Sequence, residues 1–469
     1  MTNLGTPGLR ELESGPKRKQ VLLLGAGYVA RPTVDILSKA GVSVTVACRN
    51  LQTSLALIEG LPHTQAISLD VEDSTSLDNE VSQVDLVISL IPYVLHEKVV
   101  RSAIRTKKHV VTTSYASPTL LALDEECKQA NITVLNEIGV DPGVDHLYAV
   151  KAVNDVHASG GKILSYESFA GGLPAPEASD NPLGYKFSWS ARGVILSLQN
   201  PARYIEDGVL VEIPGDALMG SAKPVLIYPG YAFVTYPNRD STIYREHYGI
   251  PEAQRLFRGT LRYQGYPEFA KALRDLGYLS QESEIFSQSP KPKTWADLSK
   301  AILGTNSAQE SELIATTSSK LVGIGTKERI VSGFRWLGLF SNTPISDVST
   351  PFDAVVCTLE ERLKFEPGER DFVFLHHKFQ IEHKDGQREV RTFTLAEYGD
   401  PKGYSAMARL VGVPCGVATL QVLDGKISKR GVFAPTTEDI AKPLRDTLEE
   451  HGIKMKETRD VRGQEQTIQ

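Results

Sequence analysis

The chain has 469 residues, 41% of them hydrophobic and 23% charged, which suits a soluble globular protein of two or three domains. A formal net charge of −6 without any long Lys/Arg run excludes a general nucleic-acid binder. The four cysteines are scattered without CxxC spacing, which speaks against a zinc or redox site and for a reducing compartment. The first twenty residues show no apolar signal region and no Arg-rich transit character, and no run of about 18 apolar residues suggests a membrane span. A soluble, cytoplasmic protein without a metal is expected.

Past a flexible extension over 1–19, "QVLLLGAG" reads as a buried strand ending in a tight turn, and "ARPTVDILSKAG" as a helix closed by Gly41. "VSVTVACR" is a β-branched strand, "NLQTSLALIEGL" a short helix and "TQAISLDV" a third strand. The alternation continues through "SLDNEVSQV", "DLVISLIP", "HEKVVRSAIRTKK", "HVVTTSY", "TLLALDEECKQAN" and "ITVLNEIG". Strands and helices in strict alternation predict an α/β Rossmann domain, a doubly wound parallel sheet, over 20–145. An α+β substrate and dimerisation domain follows over 146–404, with strands "KILSYESFAGG", "GVLVEIPG", "VLIYPGYAFVTYP" and "FRGTLRYQGY" and a charged helical insert at about 267–340. "DFVFLHHKFQIEHKDGQREVRTFTLAEYG" reads as a hairpin around "KDGQ", so His376, His377 and His383 belong to strands rather than to a metal site. Helices over 405–455, the first starting near Ser405, should pack back on the nucleotide domain, and 456–469 reads as a flexible polar tail.

In a doubly wound sheet, ligands sit beyond the C-terminal strand ends. Those ends carry Gly25, Ala26, Gly27, Tyr28 and Val29; Ala47, Cys48 and Arg49; Leu69 and Asp70; Leu90; Thr112, Thr113, Ser114 and Tyr115; and Gly139, Val140 and Asp141. "GAGYVA" fits G-x-G-x-x-A between a strand and a helix, so Gly25 should allow the turn and Gly27 the approach of a pyrophosphate. The second strand ends in Ala47-Cys48-Arg49 without the acid that would bond an NAD ribose. A guanidinium there would bond a 2′-phosphate, which points to NADP(H).

With these ends collected, the chain resembles the fungal saccharopine reductases, also called saccharopine dehydrogenases (NADP+, L-glutamate-forming). The stretches that carry the resemblance include "GAGYVARPTVDIL", "LVISLIPY", "VVTTSYASP", "NEIGVDPGVDHLYAVK", "GGLPAPEASDNPLGYKFSWSARGV", "RGTLRYQGYPEF" and "GYSAMARLVGVPC", in order from about Val21 to Pro435. The resemblance implies NADPH-dependent condensation of α-aminoadipate semialdehyde with L-glutamate to saccharopine, in lysine biosynthesis; the open sheet of the second domain is expected to pair two subunits into a homodimer. Ala170 stands where the family commonly has cysteine, and the stretches before Asp353 and over 399–405 also depart from its pattern.

This chemistry needs proton shuttling to form the imine and an anion beside the cationic iminium during reduction. Asp141 in "VDPGVD" suits the anion, the alternative being an Asx-turn residue that only shapes its loop. Tyr115 could relay a proton, or merely pack. A product rich in carboxylates calls for arginine forks. Arg239 and Arg262 qualify, and the resemblance places both on saccharopine together with Thr113, Ser114, Asp141, Thr260 and Leu261. Lys186 is a further carboxylate partner, Trp189 a residue to pack on the nicotinamide, and His146 a cap or core residue. Two rival readings stay open: an imine-forming NADP-dependent reductase of another amino aldehyde, and a non-catalytic NADPH-binding regulator.

Overall fold

Short strands form the first sheet, as β1 (Gln20–Leu24), β2 (Ser43–Cys48), β3 (Thr64–Ser68), β4 (Leu86–Ser89), β5 (His109–Thr112) and β6 (Thr133–Leu135), all but the outer β3 being largely apolar and buried on both faces. A computed structural model of the chain describes residues 18–321, 327–461 and 464–467, so nearly all of the expected N-terminal extension lies outside the described residues. All six strands are parallel, in the order β6-β5-β4-β1-β2-β3. The helices between them are α1 (Ala30–Lys39), α2 (Leu51–Ile58), α3 (Ser74–Ser82), α4 (His96–Thr106), α5 (Pro118–Leu121) and α6 (Asp124–Gln129), with α7 (Val144–Ala158) leading out. This is the doubly wound sheet expected from the alternation.

The second domain is built on a ten-stranded mixed sheet. Eight of its strands are β7 (Lys162–Pro174), β8 (Ala202–Glu206), β9 (Val209–Ile213), β10 (Lys223–Pro224), β11 (Phe233–Pro237), β12 (Arg255–Tyr263), β13 (Asp371–Glu382) and β14 (Arg388–Tyr398), and the other two come from the C-terminal end. Period-2 alternation sorts the side chains of β13. Val373, Leu375, Phe379 and Ile381 join a core shared with α1 and α7, whereas Phe372 and Phe374 join a second core with the inserted helices. Those helices run from Tyr266–Asp275 to Lys327–Leu337 and are followed by Pro351–Arg362, so the insert extends past the expected limit near 340.

The C-terminal part corrects two expectations. The nucleotide sheet is not complete at 145, because β15 (Gly431–Phe433) adds a seventh parallel strand beside β6. Residues 456–461 are not a loose tail: β16 (Lys456–Val461) pairs with β14 and with β17 (Gln464–Thr467) in the second sheet. Thr392 Oγ1 and Thr458 Oγ1 lie 2.6 Å apart across that pairing. The helix Ala406–Leu423 is long and apolar enough to cross a membrane, with mean hydropathy 1.5, yet 72% of it is buried inside the protein. Ser405 caps it, its side chain accepting from Ala408 N–H. Its Gly412 and Gly416 let it lie against α1, since a Cβ at 412 would stand 2.7 Å from Val29 O. The Thr33 hydroxyl donates to Gly412 O at 2.9 Å across the same contact.

The β13–β14 hairpin is seen where "KDGQ" foretold it, and its histidines are structural. His376 Nδ1 lies 2.8 Å from Thr394 Oγ1, and His377 donates from Nε2 to Asp145 O at 3.1 Å. Among the described residues no cluster of three or more His, Cys, Asp or Glu could hold a metal. Burial pulls His376 down to about 4, and burial with the neighbouring His376 pulls His377 down to about 3, from an ordinary 6.5. The unfolded imidazoles therefore take up protons that the folded ones refuse, so stability falls as pH drops from about 6.5 toward 4. Each unmatched proton is worth about 1.4 kcal/mol per pH unit. Thermal melts from pH 7 to pH 5 should show Tm falling, and His376→Gln should lessen the slope by about one proton.

Candidate active site

The nucleotide end of the site is a turn with no side chains in the way. Gly25 has a φ of 103°, and a Cβ there would meet Leu90 O at 2.6 Å, so only glycine makes this turn. A Cβ at Gly27 would meet nothing within 4 Å, leaving its backbone open to a phosphate at the start of α1. Tyr28 is exposed beside it, while Ala26 and Val29 are half-buried. Arg49 is exposed past the end of β2, Cys48 is held by Ser54 Oγ (3.1 Å), and Leu69 N–H donates to Cys48 O. The side chain of Asp70 accepts from Glu72 N–H at the next strand end. The edge thus carries an exposed guanidinium, Arg49, at the end of β2 and a carboxylate, Asp70, one strand further out.

The catalytic candidates meet across the two domains. Tyr115 OH donates to Asp141 Oδ1 at 2.7 Å, which joins the end of β5 to the loop before α7. Both lean on a residue that sequence reading passed over, Arg258 of β12. Its Nη2 donates to the same Asp141 Oδ1, to Asp145 Oδ2 (3.0 Å) and to Tyr115 OH (3.1 Å), and its Nη1 donates to Tyr244 OH (2.7 Å). Asp141 is thus no free anion: one oxygen is shared by a guanidinium and a phenol, and Oδ2 takes no protein donor among the described residues. Burial, with the nearby carboxylates opposing the pull of Arg258, pushes the Tyr115 phenol well above 10, so it stays protonated and able to donate.

A second layer of buried groups supports this one. His96, at the start of α4, has Nδ1 2.7 Å from Ser89 Oγ and Nε2 2.9 Å from Ser114 Oγ. Burial pulls His96 down to about 4, so it is neutral in the working range. His146 is buried as expected, and it is also ion-paired: Nε2 lies 2.7 Å from Glu137 Oε2 and Nδ1 2.7 Å from Tyr248 OH. Burial lowers its pKa, but Asp145 and Glu137 outweigh that and leave it raised. Asp145 accepts from Gly143 N–H (2.6 Å) and His146 N–H (2.9 Å), which shapes the turn that presents Asp141.

The expected substrate arginines are placed differently from one another. Arg239 is exposed, with its guanidinium 5.3 Å from the Tyr115 ring centroid, beside Arg258 at 5.7 Å. Arg262 lies four residues beyond Arg258 on β12, roughly 13 Å along the strand. It is buried over the Tyr185 and Tyr266 rings, with Nη1 donating to Leu261 O (2.7 Å) and Nε without a partner. Thr260 sits between the two arginines, half-buried, while the Leu261 side chain turns into the core and only its carbonyl meets Arg262. Lys186 is not free for a substrate carboxylate, because Nζ binds both oxygens of Glu369. Trp189 is half-exposed before the helix Ala191–Ser197, its ring against Gly193. Thr113 packs on Gly139, and Thr112 and Val140 are buried below them.

Family models describe the two halves of the chain. The saccharopine dehydrogenase NADP binding domain matches residues 21–135, and the saccharopine dehydrogenase C-terminal domain matches 139–453. The chain belongs to the saccharopine dehydrogenase family. The enzyme of Pyricularia oryzae named saccharopine dehydrogenase [NADP(+), L-glutamate-forming] is 55% identical over 94% of this chain and 98% of its own length. That of Saccharomyces cerevisiae, with the same name, is 52% identical over 94% and 99%. The solved structure of the apo yeast saccharopine dehydrogenase (L-Glu forming) superposes with a TM-score of 0.84, covering 94% of this chain and all of that one. As a saccharopine dehydrogenase the chain is an NADP-dependent oxidoreductase, and the non-catalytic reading is not favoured.

Arg258 is the residue whose loss should be felt most. Arg258→Ala strands Asp141 and Asp145, and should destabilise the fold by about 3–5 kcal/mol in urea titrations. Arg258→Lys keeps the charge without the fork that reaches Tyr244 as well, and should lower kcat about tenfold or more with a smaller loss of stability.

Proposed function

We propose that the chain condenses L-α-aminoadipate 6-semialdehyde with L-glutamate and reduces the imine to L-saccharopine with NADPH, reversibly, with Tyr115 and Asp141 as the residues at the reacting atoms. The observation that carries this reading is the Tyr115–Asp141 hydrogen bond, closed over by Arg258 at the C-terminal ends of the nucleotide sheet. When bound, NADPH supplies the hydride. The residues then have three tasks: to hold the reacting carbon, to manage protons and to offset charge.

Condensation expels water after an amine has lost a proton and a carbinolamine oxygen has gained one. Asp141 Oδ2 is the acceptor available for that proton, and the Tyr115 hydroxyl, protonated because of its burial, is a donor beside it. The Asp141 carboxylate also faces the iminium, its charge tempered by Arg258. Arg239, exposed on the Tyr115 ring, suits one substrate carboxylate, and Arg262 with its unpartnered Nε suits another; Thr113, Ser114 and Thr260 supply hydroxyls. Tyr28, Leu90 and Trp189 border the cofactor in this reading, and Arg49 takes the 2′-phosphate. We place the enzyme in the cytoplasm as a homodimer. Four free cysteines and exposed Val209, Leu210 and Leu226 at two margins of the second sheet support that placement.

The deciding assay follows NADPH oxidation with the semialdehyde, with L-glutamate added or withheld. Turnover should depend on glutamate; equal rates without it would sink the proposal and favour a reductase of another amino aldehyde. For the cofactor, Arg49→Asp should raise the KM for NADPH about tenfold or more while changing that for NADH about twofold at most. Equal changes would refute the 2′-phosphate contact.

A further inference from the structure

Glu137, just beyond β6, carries two unusual features. Its φ is 63°, in the left-handed region that side chains rarely adopt, and its carboxylate is 5% exposed. Its contacts account for both. The Glu137 N–H donates to Ser114 O at 3.1 Å, a bond that the left-handed turn aims back at the β5 end. Oε1 accepts from Ala116 N–H at 3.0 Å. The two bonds fall on either side of Tyr115 and fix the backbone before and after it. The remaining oxygen, Oε2, is taken by His146, itself anchored on Tyr248 in the second domain. Both oxygens are thus engaged by groups of the protein itself.

We infer that Glu137 is a positioning residue of the reaction: it clamps the Ser114–Ala116 loop so that the Tyr115 hydroxyl is delivered to Asp141 Oδ1, and it does so without touching substrate or cofactor. This rests on the role of Tyr115 proposed above. The clamp is made of a backbone bond that any residue can form and a side-chain acceptor that only some can supply, so the two contributions separate by substitution. Glutamine keeps an acceptor for Ala116 and an amide for His146. Alanine removes both, and aspartate retracts the acceptor by one methylene.

The test is a cycle of Glu137→Ala, Tyr115→Phe and the double variant, with Glu137→Gln alongside, in the saccharopine-forming assay at saturating NADPH. Glu137→Ala should lower kcat about tenfold while the KM for NADPH stays within about twofold. Glu137→Gln should recover to within about threefold of the natural enzyme. The double variant should be no slower than the slower single one, since a clamp on an absent hydroxyl has nothing to position. Multiplicative losses in the double variant, or a Glu137→Gln as slow as Glu137→Ala, would overturn the inference. Full activity in Glu137→Ala beside a loss in Tyr115→Phe overturns it alone; full activity in Tyr115→Phe overturns the role of Tyr115 as well. Should Glu137→Ala fail to fold, Glu137→Asp takes its place in the cycle with the same expectations.

Discussion

A guanidinium cannot be buried without anions to meet it, and Arg258 is buried. It rises from the second sheet, while the carboxylates that neutralise it come from the loop that leaves the nucleotide sheet, Asp141, and from the first turn of α7 that follows, Asp145. The charge is therefore satisfied only when the two sheets are in register. Everything chemical in the molecule hangs on that condition. Tyr115 meets Asp141 at the same point, Tyr244 closes the other branch of the fork, and Arg239 lies over the same phenol ring. Separate domains that each hold part of the candidate catalytic group meet at this one desolvated charge.

That arrangement changes the electrostatic picture of Asp141. As an isolated carboxylate it would attract any cation; tied by one oxygen to Arg258 and Tyr115, it presents the other in a fixed direction with its charge partly offset. Around it, Asp145, Glu137, Arg258 and a His146 whose affinity for protons is raised balance one another inside the protein. Preorganised groups of this kind need little rearrangement when charge develops on a substrate. The neutral His96, at the far side of Ser114, adds orientation without adding charge.

The nucleotide domain was legible in the sequence because its signals are local: strand, glycine turn and helix lie within twenty residues, and the period of each shows directly. That Tyr115 and Asp141 lie near one another was legible for a related reason, since both follow C-terminal strand ends of one parallel sheet. Arg258 was not. Asp141, Asp145 and Tyr115 are each more than a hundred residues away from it, and on the same strand β12 stands Arg262, four places on, which the family resemblance singles out. Only the period of two, which puts 258, 260 and 262 on one side of the strand, hinted that it belonged with them. Glu137 was hidden more thoroughly, because its importance lies in a backbone angle. The polar run "KETRDV" read as a loose tail because what holds it is hydrogen bonding to β14, which leaves no apolar pattern to find.

The placement of β15 bears on how the chain comes to be folded at all. During synthesis the six strands that precede it can pair as soon as they emerge, but the outer side of β6 stays an open row of donors and acceptors until residue 433 has been made. At about 5–20 residues per second, that interval spans many seconds, during which most of the second domain is being produced. The nascent nucleotide domain must wait, with one edge uncovered, for a strand encoded almost three hundred residues later. Fusion partners or truncations that remove that strand would leave behind a unit that carries the dinucleotide turn and a lasting invitation to aggregate.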